Sequence, residues 1–472
     1  MIQRARVNVS MNSYRWAVLA ICSFWYCALY PARIGADYAA LLSMIREGKS
    51  TDWWTGSFYW FLRITSIDGR FPEVTSAIQT VIFALSIVWF VNSLPGRNES
   101  KKKTILFFLC TPIFGFFGMT ISHDLTQTSG IILLCGLEIR RLRKTYQIQS
   151  SLIYIAGIAL VLTTHSGLLI ALAVLLRLML SKQTKSALLA GVVIVVLAFM
   201  ANLGLERGLT VYGNTLKTSW VKYWPSINVL KCIAQHPEAQ ISNSEWELLN
   251  QLAPKQLWQK PVSCRDFDIA VGSIGHANIV KNNSVLTSPD YLKTYISVFS
   301  KNPAIGVMAH IQRARGVLPP LLFQPPDNQV ILDVEVPIGE GTNTALQTGP
   351  ELLHPSIDIV GEEDSKPVFF KLLEIPAQGS AFLLNQASWF WGWGGLWIVI
   401  AFIVLLRLFN LESSTKLIFT LHPAILMHLA YLYFIPTSLP RYYMFSICIG
   451  ILLLIYFLIE ISPTLRAKKI EN

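Results

Sequence analysis

Charge is scarce in this sequence of 472 residues. Asp, Glu, Lys and Arg make up 14% of it, whereas soluble globular domains contain about 25%. Apolar and aromatic residues reach 53%, the mean hydropathy is +0.46, and the stretches 16–30, 74–91 and 442–459 contain no charged residue. On composition, a soluble globular protein is excluded, and we expect a helical protein that crosses the membrane many times.

The signatures of common soluble enzymes are also absent. The sequence contains no CxxC, HExxH, P-loop or GxSxG motif. These motifs mark metal sites, nucleotide sites and hydrolase nucleophiles. The sequence also contains no internal repeat and no low-complexity tract.

The formal net charge is +11, and its distribution decides its interpretation. Residues 204–387 contain 14 Lys and Arg and 17 Asp and Glu, a net charge of −3, while the rest of the chain contains 25 and 11, a net charge of +14. In the rest of the chain the basic residues form clusters between apolar runs. Because cytoplasmic loops of membrane proteins are rich in Lys and Arg, these clusters indicate the inner side of the membrane and not a nucleic-acid partner.

Apolar runs close to the ~20 residues that cross a bilayer give the predicted fold class. Ten such runs occur, at 16–34, 74–93, 104–121, 125–138, 151–165, 167–181, 186–203, 388–408, 416–435 and 441–460. We predict a polytopic α-helical membrane protein of about ten transmembrane helices in the plasma (inner) membrane, with both termini cytoplasmic. The fourth and sixth runs are short, which leaves tilted half-helices open. The first run could alternatively belong to a signal peptide, although no A-x-A site follows it.

This topology divides the chain into three parts. Residues 1–203 are an N-terminal transmembrane module with an external loop at 31–73. Residues 204–387 are an extracytoplasmic domain between the seventh and eighth spans, and residues 388–472 are a C-terminal transmembrane module. With about 184 residues, the domain is long enough to fold as a unit.

Local signals predict a mixed α/β structure for this domain. Ser288 and Asn302 each precede a proline, and each predicts a helix start. The alternation of acidic and apolar residues over 330–336 predicts a strand. Cys232 and Cys264 are the only cysteines of the domain, and because this topology places both outside the cytoplasm, we predict a disulfide between them.

Four residues at predicted outer turns could carry acid–base chemistry. Asp37 lies just beyond the first span, where a carboxylate near the hydrocarbon boundary is costly unless it is paired or used. His123 and Asp124 form the turn between the third and fourth spans, and His165 lies in the turn between the fifth and sixth. Taken alone, each of them is more simply a solvated turn residue or a helix cap.

Arginine side chains could bind a phosphate group at such a site, because a guanidinium group binds phosphate through two parallel hydrogen bonds. Arg63 and Arg70 lie in the first external loop, Arg313 ends the helix that begins after Asn302, and Arg441 and Tyr442 open the last span. All of them lie near the predicted outer interface. The alternative for each arginine is contact with lipid headgroups.

In combination these features resemble the GT-C superfamily of polyprenyl-phosphate-dependent glycosyltransferases. The resemblance is carried by an early acidic residue of the first external loop, Asp37, and by the acidic turn His123-Asp124 after the third span. It is also carried by a body of about ten helices and by Arg441-Tyr442 at the start of a late span. It covers the first half of the chain best.

The resemblance implies an inverting glycosyltransferase that moves a sugar from a polyprenyl-phosphate donor to an acceptor glycan, lipid or protein at the outer face of the membrane. It implies that Asp37 is the base and that Asp124 belongs to the same site. Two features depart from the family. Tyr38, not a second acidic residue, follows Asp37, and the large domain precedes the last three spans. The sequence therefore supports no metal site and no other cofactor, and a divalent metal stays an open alternative.

Other functions remain open at this level. A polymerase or ligase of lipid-linked oligosaccharides would also combine many spans with a large external loop. A membrane transporter would favour charges near mid-membrane, whereas nearly all charge here lies at the ends of the apolar runs. A structural subunit is the fourth interpretation. Membrane lipids are expected partners in all of them.

Overall fold

The computed structural model describes residues 2–30, 33–51, 54–143, 149–180, 223–262, 267–314, 393–409, 414–434 and 443–470, with short pieces within 193–216, at 264, at 335–337 and within 372–379. Helices account for most of these residues. Five strands of two or three residues also occur in the described part. The fold class of this part is helical.

Nine helices come from the first part of the chain. They are α1 (Ile2–Ala28), α2 (Ala36–Arg46), α3 (Gly56–Thr65), α4 (Pro72–Ser93), α5 (Asn98–Leu109), α6 (Pro112–Gly118), α7 (His123–Leu142), α8 (Gln149–Val161) and α9 (Gly167–Leu180). Of the described helices, α4 is the one that is long and apolar enough to cross a membrane, and shorter apolar helical stretches occur at Leu152–Val161, Gly394–Phe409 and Met444–Glu460. The described helices thus establish the helical class but do not establish ten spans.

The predicted third span, 104–121, is not one helix. Helix α5 ends at Leu109 and α6 begins at Pro112. Thr111 caps α6 by accepting a hydrogen bond from the backbone N–H of Phe114 at 3.4 Å. The prediction of a single helix was wrong because proline lacks an N–H group and keeps the preceding residue out of the α conformation.

Three described helices follow the predicted external domain: α18 (Gly394–Phe409), α19 (Ser414–Phe434) and α20 (Met444–Ile470). Their buried apolar side chains form one core with those of α4, α7 and α8. This core also contains many buried polar side chains, including Ser76 and Gln79 on α4 and Gln127 on α7. Buried polar groups need partners, and Ser76, Gln79 and Gln127 find theirs at one end of the bundle.

The predicted external domain has a separate core that its own helices form. The described helices are α10 (Trp224–Ala234), α11 (Asn243–Leu252), α12 (Lys255–Gln259), α13 (Phe267–Ile274), α14 (His276–Lys281), α15 (Asn283–Leu286), α16 (Pro289–Lys301) and α17 (Pro303–Arg313). We call residues 224–314 the helical domain. Both predicted helix starts are confirmed: Ser288 accepts a hydrogen bond from the N–H of Tyr291 at 3.2 Å, and α17 begins directly after Asn302.

The predicted disulfide between Cys232 and Cys264 is also present, with 5.9 Å between the two Cα atoms. It joins α10 to the segment before α13. Close to it, the Nε2 group of Gln235 donates to the carbonyl of Val262 at 3.0 Å. The bridge therefore fixes a segment between helices to the centre of the helical domain.

Two of the three strand pairs in the described part cross the predicted domain boundary. The five strands are β1 (Arg33–Gly35), β2 (Ser50–Thr51), β3 (Thr120–Ile121), β4 (Thr215–Leu216) and β5 (Glu335–Pro337). Strand β1 pairs in parallel with β3 and antiparallel with β5, and β2 pairs in parallel with β4. Only the end of the predicted strand 330–336 falls on β5, and residues 330–334 lie outside the described part.

The expectation of a mixed α/β external domain is therefore corrected within the described residues. That domain packs helix on helix, and its two short strands pair with strands of the segment 31–73. Strand pairing satisfies backbone groups between segments that are far apart in the sequence, so a strand pattern read locally does not say where the partner lies.

Candidate functional site

Two residues of the candidate site follow paired strands. Strand β1 leads into α2, whose second residue is Asp37, and β3 leads through Ser122 into α7, whose second residue is Asp124. The parallel register joins Ile34 to Ile121. Asp37 and Asp124 each lie three residues beyond this pair. The backbones of the two acidic segments therefore begin next to each other, at the same end of the β1–β3 pair. The side chain of Asp37 lies outside the described part.

Ser122 is the centre of the turn that carries Asp124. Its side chain caps α7 by accepting a hydrogen bond from the N–H of Asp124 at 3.0 Å. Its backbone is held by the amide of Gln79, which donates to the Ser122 carbonyl at 2.7 Å and accepts from the Ser122 N–H at 3.3 Å. Gln79 is buried on α4, so a side chain of the bundle core fixes the position of the acidic turn.

Tyr38 joins the two acidic segments. Its hydroxyl lies 2.7 Å from Nδ1 of His123 and 3.1 Å from Oγ of Ser122. The other ring nitrogen of His123, Nε2, lies 3.4 Å from Oδ1 of Asp124. The side chain of Asp124 is 6% exposed and that of His123 is 26% exposed. A phenol, an imidazole and a carboxylate therefore form one contact chain at the head of α7, and its middle group reaches solvent.

The turn between α8 and α9 packs against the same end of α7. Thr126 lies 2.7 Å from the hydroxyl of Thr163, and Gln127 donates to Thr164 at 2.5 Å. Gln127 also accepts a hydrogen bond from Tyr431 of α19 at 3.0 Å. The candidate His165 is exposed and belongs to this turn, so the structure brings it to the same end of the bundle as His123 and Asp124.

The segment 31–73, predicted to be an external loop, reaches this turn as well. The hydroxyl of Thr55 donates to the carbonyl of Thr163 at 2.7 Å, and that of Ser57 donates to the carbonyl of Leu162 at 2.8 Å. These bonds fix the start of α3, whose last turn contains Arg63.

The candidate arginines have different surroundings. The guanidinium of Arg63 forms a 2.7 Å ion pair with Asp68 and lies 5.2 Å from the ring centroid of Trp60. Arg70 is exposed in the turn that follows. Arg441 and Tyr442 lie outside the described part. Arg63 and Arg70 belong to the same segment, 31–73, as Tyr38, and they stay candidates for contact with phosphate.

Arg313 lies in the helical domain and is fully buried. It donates to Oδ1 of Asn228 at 3.0 Å and contacts Nδ1 of His310 at 2.8 Å. Burial and the charge of Arg313 lower the pKa of His310 to about 4, so the histidine is neutral at pH 7. Ala314 packs into the core of the bundle. These contacts give Arg313 a structural position at the joint between the helical domain and the bundle, away from solvent.

Sequence reasoning missed several members of this site: Tyr38, Gln79, Ser122, Thr126, Gln127, Thr163 and Tyr431. One signal could have found two of them. Gln79 and Gln127 are long polar side chains inside apolar runs, where an unpaired amide would be costly. Nothing in the sequence identifies Tyr431 or Thr163, because their partners are distant along the chain.

The chemical capacity of the site is proton transfer. A carboxylate and an imidazole in contact are groups that act as general bases, and a phenol on the far side of the imidazole can orient it. Within the described residues, no group of three or more His, Cys, Asp or Glu side chains is arranged to hold a metal ion.

Comparisons of the chain with protein-family models, with curated proteins and with solved structures gave no match.

Proposed function

We propose that the chain is an integral-membrane, inverting glycosyltransferase. It would move a sugar from a polyprenyl-phosphate donor to an acceptor glycan, lipid or protein at the outer face of the plasma (inner) membrane. The observation that carries the proposal is the convergence of the Asp37 and Asp124 segments beyond the β1–β3 pair, with Tyr38 and His123 between them. The resemblance to the GT-C superfamily rests on the same two acidic segments.

The proposal includes about ten transmembrane helices with both termini in the cytoplasm. Helix α4 supports this placement, because it is long and apolar enough to cross a membrane. Helix α7, with 20 residues, extends about 30 Å, which is the thickness of the hydrocarbon core. The acidic turn is at its start, and Arg140 and Arg141 are in its last turn. Basic residues favour the cytoplasmic side, which leaves the candidate site on the outer side.

The proposed reaction needs a base and positive charge. Asp37 would accept the proton of the acceptor hydroxyl, and Asp124 and His123 would complete the acid–base group. The leaving group is a phosphate, which needs electrostatic stabilisation more than a proton. Arg63, Arg70 or Arg441 would supply it. Attack from the side opposite the phosphate inverts the anomeric carbon.

Replacement of Asp37 by Asn tests the proposal. The change keeps the size of the side chain and removes the charge that accepts a proton, so we expect sugar transfer from a polyprenyl-phosphate donor to fall by about 10²- to 10⁴-fold. The matched control is Asp290→Asn, because Asp290 is an exposed aspartate of the helical domain that also lies in the first turn of a helix. The control should retain parental turnover. Normal turnover in Asp37→Asn would eliminate Asp37 as the base.

The phosphate site has an independent test. If Arg70 or Arg441 holds the donor phosphate, the Ala variant of that residue should need a higher donor concentration for half-maximal turnover. The Lys variant should recover the parental donor concentration only in part, because lysine keeps the charge but loses the paired hydrogen bonds. An unchanged donor dependence in both Ala variants would refute these two assignments. Acceptor size in the same assay separates this function from a polymerase or ligase, which would transfer whole oligosaccharide units.

A further inference from the structure

The turn between α3 and α4 presents apolar side chains to the outside of the molecule. Ile64 is 72% exposed, Ile67 is 54% exposed and Phe71 is 45% exposed. We call residues 64–71 the apolar turn. It lies at the same end of the bundle as the acidic turn, because Gln79, in the second turn of α4, is bonded to the backbone of the acidic turn.

The backbone of the apolar turn is unusual at three consecutive residues. The φ angle is 53° at Ile67, 57° at Asp68 and 81° at Gly69. Glycine adopts positive φ readily and aspartate tolerates it, whereas a β-branched residue is a genuine outlier there. At Gly69 glycine is required, since a Cβ atom would lie 2.7 Å from the carbonyl oxygen of Leu42. At Ile67 the backbone favours glycine or asparagine, so local structure does not explain the isoleucine.

Hydrogen bonds on both sides of Ile67 hold the apolar turn in this conformation. The N–H of Phe71 donates to the carbonyl of Ser66 at 2.8 Å, and the N–H of Gly69 donates to the hydroxyl of Ser66 at 2.9 Å. Nε of Arg46, at the end of α2, donates to the carbonyl of Gly69 at 2.7 Å. Packing does not explain the isoleucine either, because more than half of its side chain is exposed. The fold therefore keeps a strained apolar residue outside the core.

The apolar surface of this turn continues along α4. Val74, Val81 and Leu85 are exposed and follow each other at seven and four residues, a spacing that places them on one face of the helix. Phe71 lies directly before α4, three residues from Val74. Helix α4 is long and apolar enough to cross a membrane. The outward apolar surface of a candidate span thus extends beyond the end of the helix into the apolar turn.

The charged residues at the apolar turn suit a membrane surface. Asp68 is ion-paired with Arg63 at 2.7 Å, and the guanidinium of Arg63 lies 5.2 Å from the ring centroid of Trp60. Arg70 is exposed. Tryptophan is enriched at the membrane–water boundary, and arginine can keep its charge in water while its stem lies on apolar surface. These charges therefore do not oppose contact between the neighbouring apolar side chains and a bilayer.

We propose that the apolar turn inserts Ile64, Ile67 and Phe71 into the boundary between the headgroups and the acyl chains of the outer leaflet. Removal of apolar surface from water is favourable, and this gain accounts for an isoleucine with positive φ outside the core. Because Arg46 joins α2 to the apolar turn, the anchor would also hold α2, which carries Tyr38, at the membrane surface. The inference rests on the membrane placement proposed above and does not depend on sugar transfer.

The test measures contact with lipid directly, in the full chain in phosphatidylcholine nanodiscs. The photoreactive residue p-benzoylphenylalanine replaces Ile64 or Ile67, one at a time. Under ultraviolet light its ketone inserts into a C–H bond that lies beside it, and mass spectrometry identifies a phospholipid adduct by its mass. Both positions are exposed, so the larger side chain displaces no residue of the core.

The same replacement at two other positions supplies the controls. Leu85, exposed on α4, is the positive control. Glu238 is the negative control, because it is exposed and lies two residues before Gln240, which is bonded to Asn302. Asn302 directly precedes α17, whose other end joins the core of the bundle at Ala314. Position 238 is therefore at the end of α17 that is farther from the bundle.

We expect lipid adducts at positions 64 and 67 with yields that approach the yield at position 85, and none above background at position 238. Adducts at 85 without adducts at 64 and 67 would overturn the proposal. Cross-links from 64 and 67 to protein would mean a partner protein or a second copy of the chain and would also overturn it. Equal yields at 238 would mean diffuse contact with the membrane, which contradicts a specific anchor.

A further variant tests the apolar side chain of Ile67. Asparagine suits the positive φ but is not apolar, and loss of one buried isoleucine side chain weakens insertion on the order of tenfold. Ile67→Asn should therefore lower the lipid adduct formed from position 64. The matched control is Ile296→Asn, at an isoleucine of the helical domain that is 57% exposed, and it should leave this yield unchanged. An undiminished yield in Ile67→Asn would refute the role of Ile67 as an anchor.

Failure of this inference can be distinguished from failure of the proposed function. Absence of lipid adducts at position 85 would refute the membrane placement and, with it, the anchor. Sugar transfer by the parent and by Asp37→Asn is measured separately. Normal lipid adducts at positions 64 and 67 in a chain that transfers no sugar would support the anchor and refute the proposed function.

Discussion

The helical domain and the candidate site differ in whether their stabilising partners belong to one segment of the chain. In the helical domain the partners lie within residues 224–314, from the Ser242–Glu245 capping box, three residues apart, to Arg313 and Asn228, 85 residues apart. At the candidate site Tyr38 and His123 are 85 apart, and Tyr431 and Gln127 are 304 apart. The helical domain is thus largely stabilised by contacts within itself, whereas the site exists only when the segment 31–73, α7 and α19 have assembled.

The largest expected effect that separates the two regions comes from Asp124→Asn. Asp124 is nearly buried and in contact with His123, so loss of its charge should lower sugar transfer by at least ~10²-fold, in the range of an acid–base group. The helical domain should keep its stability, because it shares no contact with this carboxylate. Turnover of the purified variant tests the predicted loss of sugar transfer, and its thermal unfolding tests the predicted stability of the helical domain. Unchanged turnover would remove Asp124 from the site.

Removal of the disulfide should have the converse effect. Replacement of Cys232 and Cys264 by Ser opens a loop of about 33 residues, which should cost the helical domain roughly 3 to 4 kcal/mol in the chain-entropy model. Cys110→Ser is the control, since Cys110 is an exposed free cysteine. Denaturant unfolding of the helical domain in the full chain measures the loss. If the double variant were as stable as the control, the bridge would have no stabilising role.

Acid should weaken the helical domain through Glu245. Burial opposes ionisation of this carboxyl group, but hydrogen bonds from Lys301 at 2.7 Å, from Ser297 at 2.6 Å and from Ser242 outweigh burial and lower its pKa to about 2. The folded pKa is thus below the ordinary value of 4.5. The stabilisation is present above pH 4.5 and is lost as the pH falls from there toward about 2.

This acid effect should amount to roughly 2 to 3 kcal/mol. The variant Glu245→Gln should be less stable at pH 7 and should lose most of the pH dependence in that window. Glu238→Gln, at an exposed position of the same domain, is the control. Thermal midpoints at pH 7, 4.5 and 3 check the prediction. A parental pH dependence in Glu245→Gln would assign the acid sensitivity to another group.

The smallest effect is expected from Tyr38→Phe. The variant loses the hydroxyl that contacts His123 and Ser122, which should cost about 1 kcal/mol and lower transfer less than tenfold, because Tyr38 orients the imidazole and does not carry the base. The control is Tyr291→Phe, which removes a hydroxyl 2.7 Å from Ser226 inside the helical domain. That control should lower domain stability and leave the pH profile of transfer unchanged. A pH profile of Tyr38→Phe identical to that of the parent would argue against an orienting role.

Sequence alone determined the features that depend on neighbouring residues. The helix starts after Ser288 and Asn302 follow from a polar cap and a proline, which act on the backbone directly beside them. The pairing of Cys232 with Cys264 followed from composition, because no third cysteine competes in that segment. The helical class followed from the scarcity of charge and the length of the apolar runs.

Only the tertiary structure decided which distant groups meet. The parallel pairing of β1 with β3 brings the Asp37 and Asp124 segments together, and Gln79 on α4 fixes the turn between them. The burial of Arg313 against Asn228 also depends on helix packing. Sequence patterns report which face of an element is apolar, but hydrogen-bond partners across 40 to 300 residues are set by how the elements pack, because each buried polar group must find whichever partner the assembled core brings within reach.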